Sequence, residues 1–249
     1  MKIGIIGAGN IGSVLAAKLV ALGHTVAISN SRGPSSLREV AVRTGARAAT
    51  VDDAVHDAEL VVVAIPEKSV PHLPRGLLQN IPPDAVVVDT GNYYPSLRDG
   101  VIDAIERGAT ESEWVAAQLG RPVVKAFNNI FARSLAERGR PRGDAARVAL
   151  PIAGDDARAR QVVLALVDAL GFDGVDAGPL AESWRQQPGT PVYCTDLDAA
   201  GVRRALSAAD RAKTPALRDA RIAQLLALPP DKQPDGLAVF ARRLSGVGE

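Results

Sequence analysis

Cysteine is almost absent from this chain: Cys194 stands alone among 249 residues. A lone thiol excludes an intramolecular disulfide and fits a reducing compartment. Charge of one sign is lacking too. The 29 Lys and Arg oppose 28 Asp and Glu, a net +1, so the overall balance gives neither nucleic acid nor an acidic membrane surface a reason to bind. Long apolar runs are missing, and the stretch from Leu60 to Pro66 has strand length, too short to span a bilayer. His24, His56 and His72 show no ligand spacing and have no cysteine cluster beside them, so no metal site is expected. There is no internal repeat and no low-complexity tract. The first strand is predicted from residue 2, which leaves no room for a targeting peptide before it. What remains is an expectation of a cytoplasmic globular protein, one large domain alone or with a smaller partner.

What the sequence does have begins at its second residue. Lys2 to Ile6 has strand character and runs into Gly7-Ala8-Gly9-Asn10-Ile11-Gly12, after which Ile11, Val14, Leu15, Leu19 and Leu22 recur at helical spacing up to Gly23. Strand, glycine triplet and helix in that order form a dinucleotide-binding turn. Gly7 makes the sharp bend, Gly9 lets a pyrophosphate approach the backbone, and Gly12 lets helix and strand pack closely. The first N–H groups of the helix then face the phosphates, where the helix dipole favours negative charge.

The second strand, Thr25 to Ser29, ends in Asn30-Ser31-Arg32-Gly33-Pro34. In this architecture that end lies beside the adenosine ribose. An acid there would accept the ribose hydroxyls of NAD and repel the extra phosphate of NADP. None is present. Two hydroxyls, the Asn30 amide and the Arg32 guanidinium are there instead, and Ser31 and Arg32 can donate to a dianionic phosphate. The pattern favours NADP(H).

Strands and helices go on alternating. A helix is predicted over Ser35 to Thr44, a short strand over Arg47 to Ala49 and a brief helix through Val55. Strands are predicted over Leu60 to Ile65 and Ala85 to Asp89, then helices over Ser96 to Glu106 and Glu111 to Leu119. Pro122 to Ala126, Arg147 to Ile152 and Phe172 to Asp176 read as strands, with a helix over Asp155 to Leu170. This is the order of a Rossmann-type doubly wound parallel sheet, an α/β fold, over residues 1–176. Residues 177–249 change character and are expected to form a small C-terminal helical lobe, with helices over Ala199 to Lys213, Ala216 to Leu226 and Leu237 to Leu244. That lobe would close over the sheet edge or pair subunits, which suggests a homodimer.

Ligands of open α/β sheets bind at the carboxyl edge. Ala64, Ile65 and Pro66 end one strand there, and Gly91 and Asn92 follow another, so all five are candidate cofactor contacts. Lys125-Ala126-Phe127-Asn128-Asn129 reaches the same edge. Lys125 could orient a substrate or donate a proton, or it could be an ion-paired lysine. Asn128 and Asn129 could bond the nicotinamide amide or the second substrate, or simply form a turn. His72 is the one histidine near this edge. Trp184, Arg185 and Tyr193 introduce the tail and are candidate second-substrate contacts.

Gly7 to Gly12, Ser31-Arg32, the Ile65-Pro66 edge, Lys125-Ala-Phe-Asn128 and Asp176-Ala-Gly-Pro-Leu180 together resemble the deazaflavin-dependent NADP oxidoreductase family over about residues 1–180. Its Rossmann module also occurs in the cytosolic part of STEAP-type metalloreductases. The resemblance implies hydride transfer between NADP(H) and an 8-hydroxy-5-deazaflavin, coenzyme F420, with Ala126 and Asn128 among the cofactor contacts. Ser183-Trp-Arg-Gln-Gln-Pro188 and the helices after it depart from the family's short helical ending. Two other functions therefore stay open: an NADPH-dependent reductase of a small carbonyl, imine or other organic acceptor, and an NADPH-sensing regulatory protein without turnover.

Overall fold

Alternation along the central strands builds the two faces of the sheet. In β1 (Lys2–Ile6) and β4 (Leu60–Val63), Ile3, Ile5, Leu60 and Val62 enter one buried cluster, while Ile6, Val61 and Val63 enter another. β5 (Val86–Asp89) does the same with Val86 and Val88 against Val87. Successive side chains of a strand point to opposite faces, so an unbroken apolar run requires cover on both sides. On the first side that cover is α1 (Asn10–Ala21), through Leu15, Ala16 and Leu19, and α7 (Ala157–Ala169), through Val163, Leu166 and Val167. On the other it is α5 (Glu111–Leu119), through Trp114 and Val115.

The computed structural model describes residues 1–79 and 81–229. The helix predicted over Leu237 to Leu244 lies outside the described residues. With β2 (Thr25–Ser29), β3 (Arg47–Ala48) and β6 (Val124–Lys125), six parallel strands run in the order β3-β2-β1-β4-β5-β6. This is the Rossmann order, whose switch point lies between β1 and β4. α2 (Arg38–Thr44), preceded by a 3-10 turn over Pro34–Leu37, and α3 (Val51–Val55) complete the first half.

The structure departs from the expected elements first in the late strands and around Tyr93. β7 (Ala149–Ile152) and β8 (Asp173–Asp176) form a separate parallel pair, not two further strands of the main sheet. Among the described residues a single antiparallel bridge, between Lys125 and Ala153, pairs their backbone with β6. Phe127 at φ 60° turns the chain out of strand geometry just past that bridge, so no longer ladder can form. The helix expected over Ser96 to Glu106 is broken into a π turn at Pro95–Asp99 and the short α4 (Asp103–Glu106). The Tyr93 hydroxyl accepts the Ile102 N–H at 3.0 Å and donates to Glu106 at 2.9 Å, and Gly100 at φ 70° reverses the chain between them.

After α6 (Ala132–Glu137) and the β7–β8 pair, a 3-10 segment over Leu180–Gln186 leads into α8 (Ala199–Ser207) and α9 (Thr214–Leu226). α8 stops at Ser207, short of the expected Lys213. Leu180 joins the buried cluster under α5, so the segment that opens the tail is packed onto the main sheet. Among the described residues no helix is long and apolar enough to cross a membrane.

Candidate cofactor and substrate site

Gly7 leaves β1 at φ 113° and its N–H bonds to Ser29 O at 2.9 Å, which ties the turn to the end of β2. Beyond it, α1 begins on Gly9 with no side-chain cap and no acid in its first turn. By contrast α3, α5, α7 and α8 start on Thr50, Thr110, Asp156 and Asp198, each accepting a backbone N–H. The leading amides of α1 are therefore not matched by any side chain, and the dipole end carries no anion of its own. A Cβ added to Gly9 would meet nothing within 4 Å, whereas one on Gly7 would lie 2.2 Å from Ala64 O. Only the middle glycine looks onto open space. These are the features that a pyrophosphate requires.

The loop after β2 is organised by Asn30. Its Oδ1 accepts the Arg32 N–H at 3.0 Å and its Nδ2 donates to Ser36 Oγ at 2.9 Å, while Ser36 Oγ donates to Gly33 O at 2.8 Å. Ser31 and Arg32 are exposed on this framework. A groove of about 660 Å³ borders the glycine turn on the side of α2 and α6. It shares only Ala8, Gly9 and Asn10 with the predicted cofactor contacts and is lined otherwise by residues such as Arg43, Thr44, Arg133 and Glu137.

Along the carboxyl edge, Ala64, Ile65, Pro66 and Asn92 are half-buried, while Gly91 and Ala126 are buried. The Ala126 N–H bonds to Asp89 O and the Thr90 N–H to Val63 O, which aligns the ends of β4, β5 and β6. Beneath this edge lies a charge cluster of which sequence reading had only the ion-paired alternative for Lys125, without its partners. Lys125 Nζ, 0% exposed, donates to Asp89 Oδ2 at 3.1 Å, Gly91 O at 2.7 Å and Glu111 Oε2 at 3.4 Å. Asp89 also accepts Ser112 Oγ at 2.6 Å and the Gly91 N–H at 2.8 Å. Burial works to lower the Lys125 pKa, but the Asp89 and Glu111 carboxylates more than offset it and hold the ammonium charged above its usual range. Burial pushes Glu111 up to about 7, against the pull of Lys125. Of the two readings of Lys125, the geometry is that of the ion-paired lysine: donating its proton would strand two buried carboxylates.

Asn128 joins the edge to the tail. Its Nδ2 donates to Asn92 Oδ1 at 3.1 Å and to Gln186 O at 2.8 Å, and Gln186 Nε2 returns a bond to Asn128 Oδ1 at 3.0 Å. Asn129 is buried beside it, with its main-chain carbonyl accepting the Cys194 N–H. The side-chain atoms Asn129 Oδ1, Ser183 Oγ, Gln186 Oε1 and Gln187 Nε2 are buried without a hydrogen-bond partner among the described residues. Tyr193 hydrogen-bonds through its hydroxyl to Tyr94, and burial raises both pKa values. Trp184 is buried with Arg185 4.4 Å and Arg211 5.6 Å from its ring centre, and Arg185 is paired with Glu182, so this pair packs the tail on itself. His72 stands exposed on the outer turn, Nδ1 against Lys68 O, apart from the Asn128 group. Gln186 was readable only as a loop residue. An acid directly after the Ile65-Pro66 edge, Glu67, was the one sequence signal that pointed to the charge cluster.

The family described as NADP oxidoreductase, coenzyme F420-dependent, matches residues 2–93. YjhV of Escherichia coli (strain K12) is 48% identical over 81 residues, which cover 31% of this chain and 59% of YjhV; the chain thus spans less than two thirds of that curated relative. The crystal structure of the hypothetical protein SMa0349 from Sinorhizobium meliloti is 34% identical with a TM-score of 0.66, covering 79% of this chain and 95% of SMa0349. A structure from Arthrobacter sp. FB24, described as an F420-dependent NADP-reductase, is 25% identical with a TM-score of 0.61, covering 74% of this chain and 87% of its own. The match to SMa0349 spans more than twice the 92 residues of the family match, so the likeness does not stop at the glycine half.

Proposed function

Because this chain belongs to the coenzyme F420-dependent family of NADP oxidoreductases, we propose that it binds NADP(H) at the glycine turn and moves a hydride between it and a second substrate, an 8-hydroxy-5-deazaflavin in the first instance. One observation carries the cofactor reading. An uncapped, acid-free helix start lies next to an acid-free loop that presents Ser31 and Arg32. The amides of α1 hold the pyrophosphate, Arg32 and Ser31 take the 2′-phosphate, and Ala64 to Pro66 with Gly91, Asn92, Ala126 and Asn128 bound the nicotinamide end. The cofactor supplies the hydride.

For the second substrate, the unpartnered atoms of Asn129, Ser183, Gln186 and Gln187 support a site between the Asn128 loop and the tail. Hydride transfer to a deazaflavin ring needs alignment and exclusion of water and no obligatory protein acid. The Tyr94–Tyr193 hydroxyl pair favours a second reading, reduction of a carbonyl or imine with a tyrosine as proton donor. In both, residues 1–176 serve as the NADP-binding domain and residues 177–249 as a substrate and dimerisation lobe of a cytoplasmic homodimer.

Mixing the protein with NADPH and a deazaflavin, and following both absorbance bands, tests the first reading. Deuterium transfer from labelled NADPH to a panel of carbonyls and imines tests the second. Tight NADPH binding with no transfer to any acceptor would overturn both in favour of a sensor. A monomer mass by light scattering would dispose of the dimer.

A further inference from the structure

Glu67 has no task in the functional reading above and no hydrogen-bond partner among the described residues. It follows Pro66 at the half-buried edge of β4, is 0% exposed, and neither carboxyl oxygen has a hydrogen bond among the described residues. It rests on Gly91: a methyl placed there would come 2.5 Å from Glu67 Oε1 and 3.0 Å from Asp89 Oδ1, so two carboxyl groups converge on one Cα. Glycine is what allows it.

The carboxyl faces Asp89 at the end of β5, Lys125 from β6, Glu111 from α5, and Arg98 from the π turn, where Arg98 is paired with Asp99 at 2.9 Å. Three buried carboxyls therefore face the ammonium of Lys125, which pairs with two of them, and the Arg98 guanidinium lies on the side of Glu67. Burial, and then Asp89, raise Glu67 well above the usual carboxylate range.

The oxidised nicotinamide ring carries a positive charge and the reduced ring does not. We propose that the Glu67 carboxyl, wedged between Gly91 and Asp89 behind the Pro66 edge, reads this difference: it keeps its proton in the free protein and beside NADPH, and releases it to solvent when NADP⁺ binds. The proposal rests on the NADP(H) reading. A cation at the edge stabilises the carboxylate, so Glu67 titrates lower with NADP⁺ than with NADPH. By linkage, affinity for NADP⁺ relative to NADPH rises with pH until Glu67 is ionised in both complexes. A one-unit difference in its pKa between the complexes changes that ratio about tenfold.

The test is calorimetric titration of the full chain with NADP⁺ and with NADPH, in two buffers of different ionisation enthalpy, from pH 6.5 to 8.5. Both ligands carry the same 2′-phosphate, so its titration cancels in the comparison. Greater proton release with NADP⁺, together with a Kd ratio that shifts by on the order of tenfold across the range, is the expected result. Glu67→Gln, neutral and of the same size, should abolish both. Equal proton exchange for the two ligands in the wild-type protein overturns the proposal, whether or not the variant folds. A difference that persists in Glu67→Gln puts the proton elsewhere and overturns it too. Failure to bind either nucleotide would overturn the NADP(H) reading itself.

Discussion

A methyl group on Gly12 would stand 2.0 Å from the carbonyl oxygen of Gly7, while one on Gly9 would meet no atom within 4 Å. The two glycines thus answer to different demands, one from the fold and one from the ligand. Gly12→Ala should lower stability by roughly 1–3 kcal/mol, the cost of forcing a group into a packed site, and it should do so without nucleotide. Gly9→Ala should leave the melting temperature of the free protein nearly unchanged and weaken NADPH binding. Thermal melts with and without NADPH separate them, and equal destabilisation of the two free variants would contradict the assignment.

Arg32 is held out on the Asn30-ordered loop with its guanidinium exposed. Arg32→Ala should cost about 1.5–3 kcal/mol of NADPH binding, the range for a hydrogen bond to a charged group, or about one to two decades in Kd. NADH should bind nearly as before. Fluorescence titration with each nucleotide gives the ratio, and an unchanged ratio would remove the 2′-phosphate from this loop.

Lys125 pairs with both Asp89 and Glu111 in the buried cluster, at 3.1 and 3.4 Å. Lys125→Met should destabilise the protein by about 3–5 kcal/mol at neutral pH, because it leaves buried carboxylates without a counter-charge. Adding Glu111→Gln to that variant should restore part of the loss. Denaturant melts of the single and double variants measure it. A Lys125→Met protein as stable as the wild type would mean that the cluster is wetter than its burial implies.

Glu111, raised to about 7 from an ordinary 4.5, ties stability to pH in a direction opposite to most carboxylates. Between those values the folded protein holds a proton that the unfolded chain has released. Stability contributed by this proton is therefore present in acid and falls as pH rises from about 4.5 to about 7. The change is on the order of 3 kcal/mol at full burial. Urea melts at pH 5 and pH 7 should show the wild type losing more stability over that interval than Glu111→Gln, and parallel pH profiles would contradict this.

Much of the fold of residues 1–93 was legible because its signals are local. The strand-glycine-helix run, the acid-free end of β2 and the unbroken apolar strands each depend on neighbours within a few residues. The capping box of Thr110 and Glu113 puts the start of α5 at the predicted residue. The helix expected over Ser96 to Glu106 failed because one tyrosine hydroxyl, Tyr93, captures the Ile102 N–H that helix geometry would have used. The charge cluster was illegible for a different reason. Lys125 is 36 residues from Asp89 and 14 from Glu111, and only the order β4-β5-β6 brings them together. The same holds for Gln186, whose partners become known only once the tail is folded over β6.

That amide has a consequence for synthesis. Gln186 Nε2 bonds Asn128 across 58 residues of sequence and Pro151 O across 35. At translation rates of about 5–20 residues per second, the 58-residue gap keeps Asn128 waiting roughly 3–12 s for its partner. Until residue 186 is made, one wall of the acceptor site proposed beside Asn128 is missing. A chain that stops short of residue 186 therefore lacks the amide that closes the Asn128 loop against the tail, whatever the state of its glycine turn.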